Sequence, residues 1–167
     1  MDLVNSLKAE GYIGKVFRVS YQDIHSYFSK DLKDKNFKYI LSFGLANDRE
    51  VITLEKFAYN ETNQSTVDSD GIIPINRKIT DDSKDILSTS LDVDDLVKIL
   101  KKAGFKAEAS TNPGRYVCNY IYYNSLLAMA NNALFVHLPM PKTTKQTERI
   151  FSASLLIVNF ILNVQNS

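Results

Sequence analysis

One cysteine in 167 residues excludes an internal disulfide. A chain without disulfides suits a reducing, cytoplasmic setting. The formal net charge is only +1, so no strong field draws the chain to nucleic acid or to a membrane surface. Met1 to Glu10 holds no apolar core of signal-peptide length. The run from Leu155 to Val164 is strongly apolar, but Asn159 and Asn163 interrupt it and it is too short to span a bilayer. It predicts a buried helix, and a subunit interface would account for the same apolar surplus. There is no internal repeat, no low-complexity tail and no boundary that divides the chain.

What is present is enough apolar material for a core. Hydrophobic residues make up 44%, which fits one compact domain over residues 1–167. Leu3, Val4, Leu7 and Ala9 suit a short helix ended by Gly11. Lys15 to Ser20 alternates and reads as a strand. Asp23 to Leu32 puts Ile24, Tyr27, Phe28 and Leu32 on one helical face. Tyr39 to Phe43 reads as a buried strand closed by Gly44, and Glu50 to Tyr59 as a second strand-like run. Asn60 to Ser90 is rich in Asn, Asp, Ser and Thr and reads as a long surface excursion. Asp92 to Lys102 is the clearest helix, with acidic residues in its first turn and Gly104 after its end. Phe105 to Ser110 reads as a strand, Tyr116 to Ala130 as a helix, Ala133 to Leu138 as a buried strand and Thr147 to Asn163 as a final helix. This alternation predicts an α/β sheet covered by helices on both faces.

The cysteine, Cys118, falls where a strand-like segment gives way to a helix. Reactive residues of α/β sheets gather at such places. A helix start carries partial positive charge and free N–H groups, which favour a thiolate. A nucleophilic cysteine also needs a base, usually a histidine. His137 ends an apolar run, and His25 sits on the second predicted helix as a surface residue. By residue type alone, Cys118 is more often a small buried hydrophobe and His137 a satisfied core histidine.

Three segments taken together resemble the pyroglutamyl peptidase I family of cysteine exopeptidases. They are Gly44-Leu45-Ala46-Asn47-Asp48-Arg49 with Ile52 to Asn60, then Gly114-Arg115-Tyr116-Val117-Cys118-Asn119-Tyr120, then Phe135-Val136-His137-Leu138-Pro139. Their order and spacing carry the resemblance from near residue 1 to the final helix. It implies a phosphorylase/hydrolase-like α/β domain with a mixed sheet and no metal or cofactor. The implied triad is Cys118 as nucleophile, His137 as general base and Glu55 as third member. Arg49 matches an arginine near the site. Tyr116 and Val117 match positions lining the pocket for the substrate ring, and the backbone around Leu45 matches a segment bonding the ring amide. The implied substrates are N-terminally pyroglutamylated peptides, and homo-oligomers are expected.

The sequence also departs from that pattern. The family opens with a strand and a Gly-Phe-Glu-Pro-Phe-Gly loop that this sequence lacks, so a neighbouring strand is expected to lose a ladder partner. Where the family has Asp-Ala-Arg-Ile-Pro-Asp, this chain has Asn63-Gln64-Ser65-Thr66-Val67-Asp68, and Lys56 follows the triad glutamate where arginine is usual. Three readings follow: an exopeptidase retaining the triad; a truncated, non-catalytic homologue that is either a binding protein or a degenerate gene remnant; or a different amidase using the same triad.

Overall fold

A computed structural model describes residues 5, 7, 12–32 and 37–163. The helix expected around Leu3, Val4, Leu7 and Ala9 lies outside the described residues, apart from Leu7. The first described helix, α1 (Tyr21–Ser26), starts at Ser20, whose side chain caps it by accepting the Asp23 N–H. It continues as one π-helical turn, Tyr27–Asp31.

Four strands form the main sheet: β1 (Ile40–Ala46), β2 (Ile52–Glu55), β5 (Ala107–Ser110) and β6 (Ala133–Pro139). Their order is β1-β6-β2-β5. β1 runs parallel to β6 and β2 parallel to β5, while β2 and β6 are antiparallel. The sheet is therefore mixed. Two short strands, β3 (Phe57–Tyr59) and β4 (Ile86–Ser88), make a separate antiparallel ribbon. The helices are α2 (Val93–Lys102), α3 (Val117–Ala128) and α4 (Thr144–Asn163).

The period of two along the central strand β6 sorts the core into two layers. Leu134, Val136 and Leu138 join Ile52 and Leu54 of β2 under Val93, Leu96, Val97 and Leu100 of α2 and Ala153, Ile157 and Ile161 of α4. Ala133 and Phe135 join Tyr122, Tyr123 and Leu126 of α3, with Ala58 and Leu87 of the ribbon. Helices thus cover both faces, as the alternation predicts. The apolar stretch near the C-terminus is the inner face of α4 as far as Ile161, and Val164 is outside the described residues. Asp92 caps α2 by accepting the Asp95 N–H. Gly104, at φ +83°, ends it in a conformation that other residues rarely adopt.

Three strand expectations are corrected. Lys15–Ser20 is irregular: Ser20 N–H bonds the Arg18 carbonyl and Ser69 N–H bonds the Val19 carbonyl, a turn and a loop contact in place of a ladder. Alternating apolar residues give only propensity, and without a neighbouring strand the segment leaves Val16 and Val19 exposed. Glu50–Tyr59 is two strands. Lys56 donates its N–H to Ser110 beside β5, while its carbonyl accepts from Thr89 beside β4, so the chain changes sheets at that residue. Gly44 does not close β1, which runs on to Ala46 and is half-buried at the sheet edge. Among the described residues β6 is its only ladder neighbour.

Candidate active site

The α3-facing layer of the sheet holds the polar residues. Gly44 of β1 pairs with His137 of β6, and Thr53 of β2 pairs with His137 from the other side. Cross-strand partners project to the same face. His137 therefore stands between Gly44 and Thr53, with Glu55 one alternation further along β2. Glu55 is fully buried and His137 nearly so. His137 Nδ1 lies 2.8 Å from Glu55 Oε1. A carboxylate only accepts, so Nδ1 carries the proton and Nε2 is left as the basic nitrogen. The imidazole also leans on the Phe135 ring, with centroids 4.8 Å apart. Glu55 is no solvent-facing edge residue: its backbone carbonyl accepts from the buried Tyr122 hydroxyl at 2.7 Å.

Cys118 is the second residue of α3 and faces β1. A Cβ built on Gly44 would lie 3.5 Å from Cys118 Sγ and 2.8 Å from Phe135 Cζ. Glycine is what lets the thiol rest against the strand beside the position paired with His137. The thiol is not poised as a thiolate: its pKa is pushed up to about 11, first by burial, then by the negative charges of Glu55 and Asp48. Burial thus works against the thiolate that a helix start was expected to favour, while a backbone hydrogen bond at Cys118 works for it.

The other expected residues are distributed as follows. Arg49 Nη2 lies 3.6 Å from Glu55 Oε1 and donates to the Asn112 carbonyl, tying the buried carboxylate to the loop before Cys118. Tyr116 is the residue before α3, and its hydroxyl donates to the Val67 carbonyl of the long excursion. Val117 packs with Tyr21 and Ile24. Leu45 is 55% exposed on β1. His25 is exposed on α1, its Nδ1 3.5 Å from the Tyr120 hydroxyl.

Several structural supports escaped the sequence reading. Asn119, fully buried, accepts the Tyr59 N–H and donates to the carbonyls of Tyr59 and Glu61. Arg115 stacks over Tyr59, 3.6 Å from the ring centroid, and pairs with Glu61 at 2.8 Å. Together they lock the first turn of α3 to β3. The only available signal was an asparagine inside a predicted helix, where that residue is a poor former. Asp68 accepts the N–H groups of Tyr21, Asp70 and Ile72 and so fastens the excursion to α1. A recess of about 490 Å³ bounded by Tyr59, Glu61, Arg77, Asp85 and Arg115 opens beside this clamp and does not include Cys118 or His137. Among the described residues no group of three His, Cys, Asp or Glu side chains is arranged to hold a metal ion. None of the described helices is long and apolar enough to cross a membrane.

The pyroglutamyl peptidase family profile matches residues 5–163. The pyrrolidone-carboxylate peptidase of Oceanobacillus iheyensis is 34% identical over 116 residues, covering 66% of this chain and 58% of the relative. That of Lactobacillus helveticus is 30% identical over 131 residues, covering 75% of this chain and 66% of the relative. The chain thus spans less than two thirds of those relatives' length. The solved pyrrolidone carboxyl peptidase from Thermococcus litoralis superposes with a TM-score of 0.83 at 26% identity, over 92% of this chain and 79% of that one.

Proposed function

The chain belongs to the pyroglutamyl peptidase family, and we propose that it is a cysteine exopeptidase removing an N-terminal pyroglutamyl residue from peptides. The buried His137–Glu55 bond carries the reading. It fixes one imidazole nitrogen and leaves the other free, on the sheet face against which the only cysteine rests.

In this mechanism the resting nucleophile is a thiol, as its raised pKa requires. His137 takes the Sγ proton as sulfur attacks the pyroglutamyl carbonyl. Glu55 holds Nδ1–H and stabilises the imidazolium. The proton then passes to the leaving amine, and water attacks the thioester with His137 again as base. N–H groups in the first turn of α3 stabilise the oxyanion. Arg49 supports the charge of Glu55. Tyr116, Val117 and the backbone at Leu45 bound the ring subsite. A reducing cytoplasmic compartment suits a free thiol nucleophile, and the family resemblance favours a homo-oligomer.

The test is hydrolysis of pyroglutamyl-aminocoumarin by the purified chain, beside the prolyl analogue that lacks the lactam carbonyl. Release from the pyroglutamyl substrate alone, lost in Cys118→Ala, is the expected outcome. A folded chain that cleaves neither, or both equally, removes the assignment.

A further inference from the structure

Among the described residues, two oxygens of the triad layer have no hydrogen-bond partner although both are wholly buried: Glu55 Oε2 and Thr53 Oγ1. Such groups are uncommon, because an unmet buried acceptor or donor forfeits its hydration without compensation. The two belong together by position. Thr53 and Glu55 are two residues apart on β2, so their side chains leave the same face of the sheet. Thr53 is the direct cross-strand partner of His137. The Glu55 side chain reaches back along the strand to that level, because its Oε1 meets His137 Nδ1. One oxygen can only accept when ionised, and the other has a proton to give.

We propose that Thr53 is a positioning residue: its hydroxyl donates to Glu55 Oε2, so the carboxylate is held at both oxygens and Oε1 stays on His137. Arg49 cannot fill this role, since it approaches Oε1 and spends a donor on the Asn112 carbonyl. The inference rests on the triad reading above, and its test separates the two.

The experiment compares the full chain with Thr53→Val, which keeps the shape and loses the hydroxyl, and Thr53→Ser, which keeps the hydroxyl. Two quantities are read: the proton resonance of His137 Nδ1–H, and kcat and KM on the pyroglutamyl substrate. The valine variant is expected to shift and broaden the resonance and to lower kcat on the order of 10-fold with KM unchanged. Serine is expected to restore both. A valine variant that keeps the parent resonance, or a serine variant as impaired as valine, overturns the proposal. If the valine variant does not fold, Thr53→Ala against Thr53→Ser makes the same comparison, and equal resonances there overturn it. A parent chain without turnover removes the exopeptidase assignment, while the resonance comparison still decides the role of Thr53.

Discussion

At the residue scale, the surroundings of Cys118 decide the state of its thiol. Burial and two nearby carboxylates keep it protonated at neutral pH, with a pKa near 11. Alkylation by iodoacetamide should therefore be slow at pH 7 and rise steadily towards pH 11. A rate that levels off below pH 8 would contradict the raised value. Glu55→Gln removes one of the charges that push the thiol up. Its thiol should titrate lower than the parent's while turnover falls, because the imidazolium loses its counter-charge. Parallel alkylation and turnover measurements check that opposition. Gly44 is the second decisive residue. Gly44→Ala places a methyl group 2.8 Å from Phe135 Cζ and 3.5 Å from the nucleophile. Overpacking of this kind costs about 1–3 kcal/mol, measured by denaturant unfolding. Turnover should fall further than that loss of stability explains, because the thiol itself is displaced.

At the scale of elements, α3 carries Cys118 in its first turn and β3 holds α3. Asn119→Ala leaves the Tyr59 N–H and the Tyr59 and Glu61 carbonyls without their buried partner. A loss of roughly 3 kcal/mol is expected from unfolding curves. The excursion between β3 and β4 hangs on Asp68. Burial pulls its pKa upward, but the N–H groups of Ile72, Tyr21 and Asp70 outweigh this and hold it below the ordinary carboxylate value. A depressed carboxylate contributes stability above its unfolded pKa and loses it as pH falls through the folded one. Hydrogen-exchange protection in residues 63–75, taken relative to the intrinsic rate at each pH, should therefore be unchanged from pH 7 to pH 5 and fall below about pH 4, the ordinary aspartate value. A fall already at pH 6 would contradict the latch.

These elements also mark how far the sequence could be read. The helices α2 and α3 and the strand β6 follow from local periodicity, because each buries one face or both in the regular way. Lys15–Ser20 has the alternation of a strand, yet a strand is completed by its neighbour, which no local pattern reports. The break at Lys56 is set by two different ladder partners, one on each side of the same residue. Cys118, His137 and Glu55 were legible through the family pattern, and the His137–Glu55 bond brings two of them into contact. The pairing of Asn119 with β3, the bond from Tyr21 to Asp68 and the depth of burial of the thiol are tertiary facts. Polar residues declare themselves in sequence, but these partners lie 47 and 60 positions away.

At the scale of the molecule, a four-stranded mixed sheet separates an apolar layer under α2 and α4 from a layer under α3 that holds His137 and Glu55. The half-buried edge strand β1 contributes Gly44 to the site while its far side meets no other described strand. The site therefore lies one strand from a sheet edge, and its integrity depends on β6 holding β1 in register. The central claim is that Cys118 becomes acylated by the pyroglutamyl group and that His137 drives the step. The most direct measurement is mass spectrometry of acid-quenched turnover, with the peptide containing Cys118 followed in the parent chain and in His137→Ala. The account predicts a thioester of pyroglutamyl mass on Cys118 in the parent, absent before substrate is added and strongly reduced in the variant. Substrate cleavage with no adduct on Cys118, or equal adduct in the two chains, would contradict it.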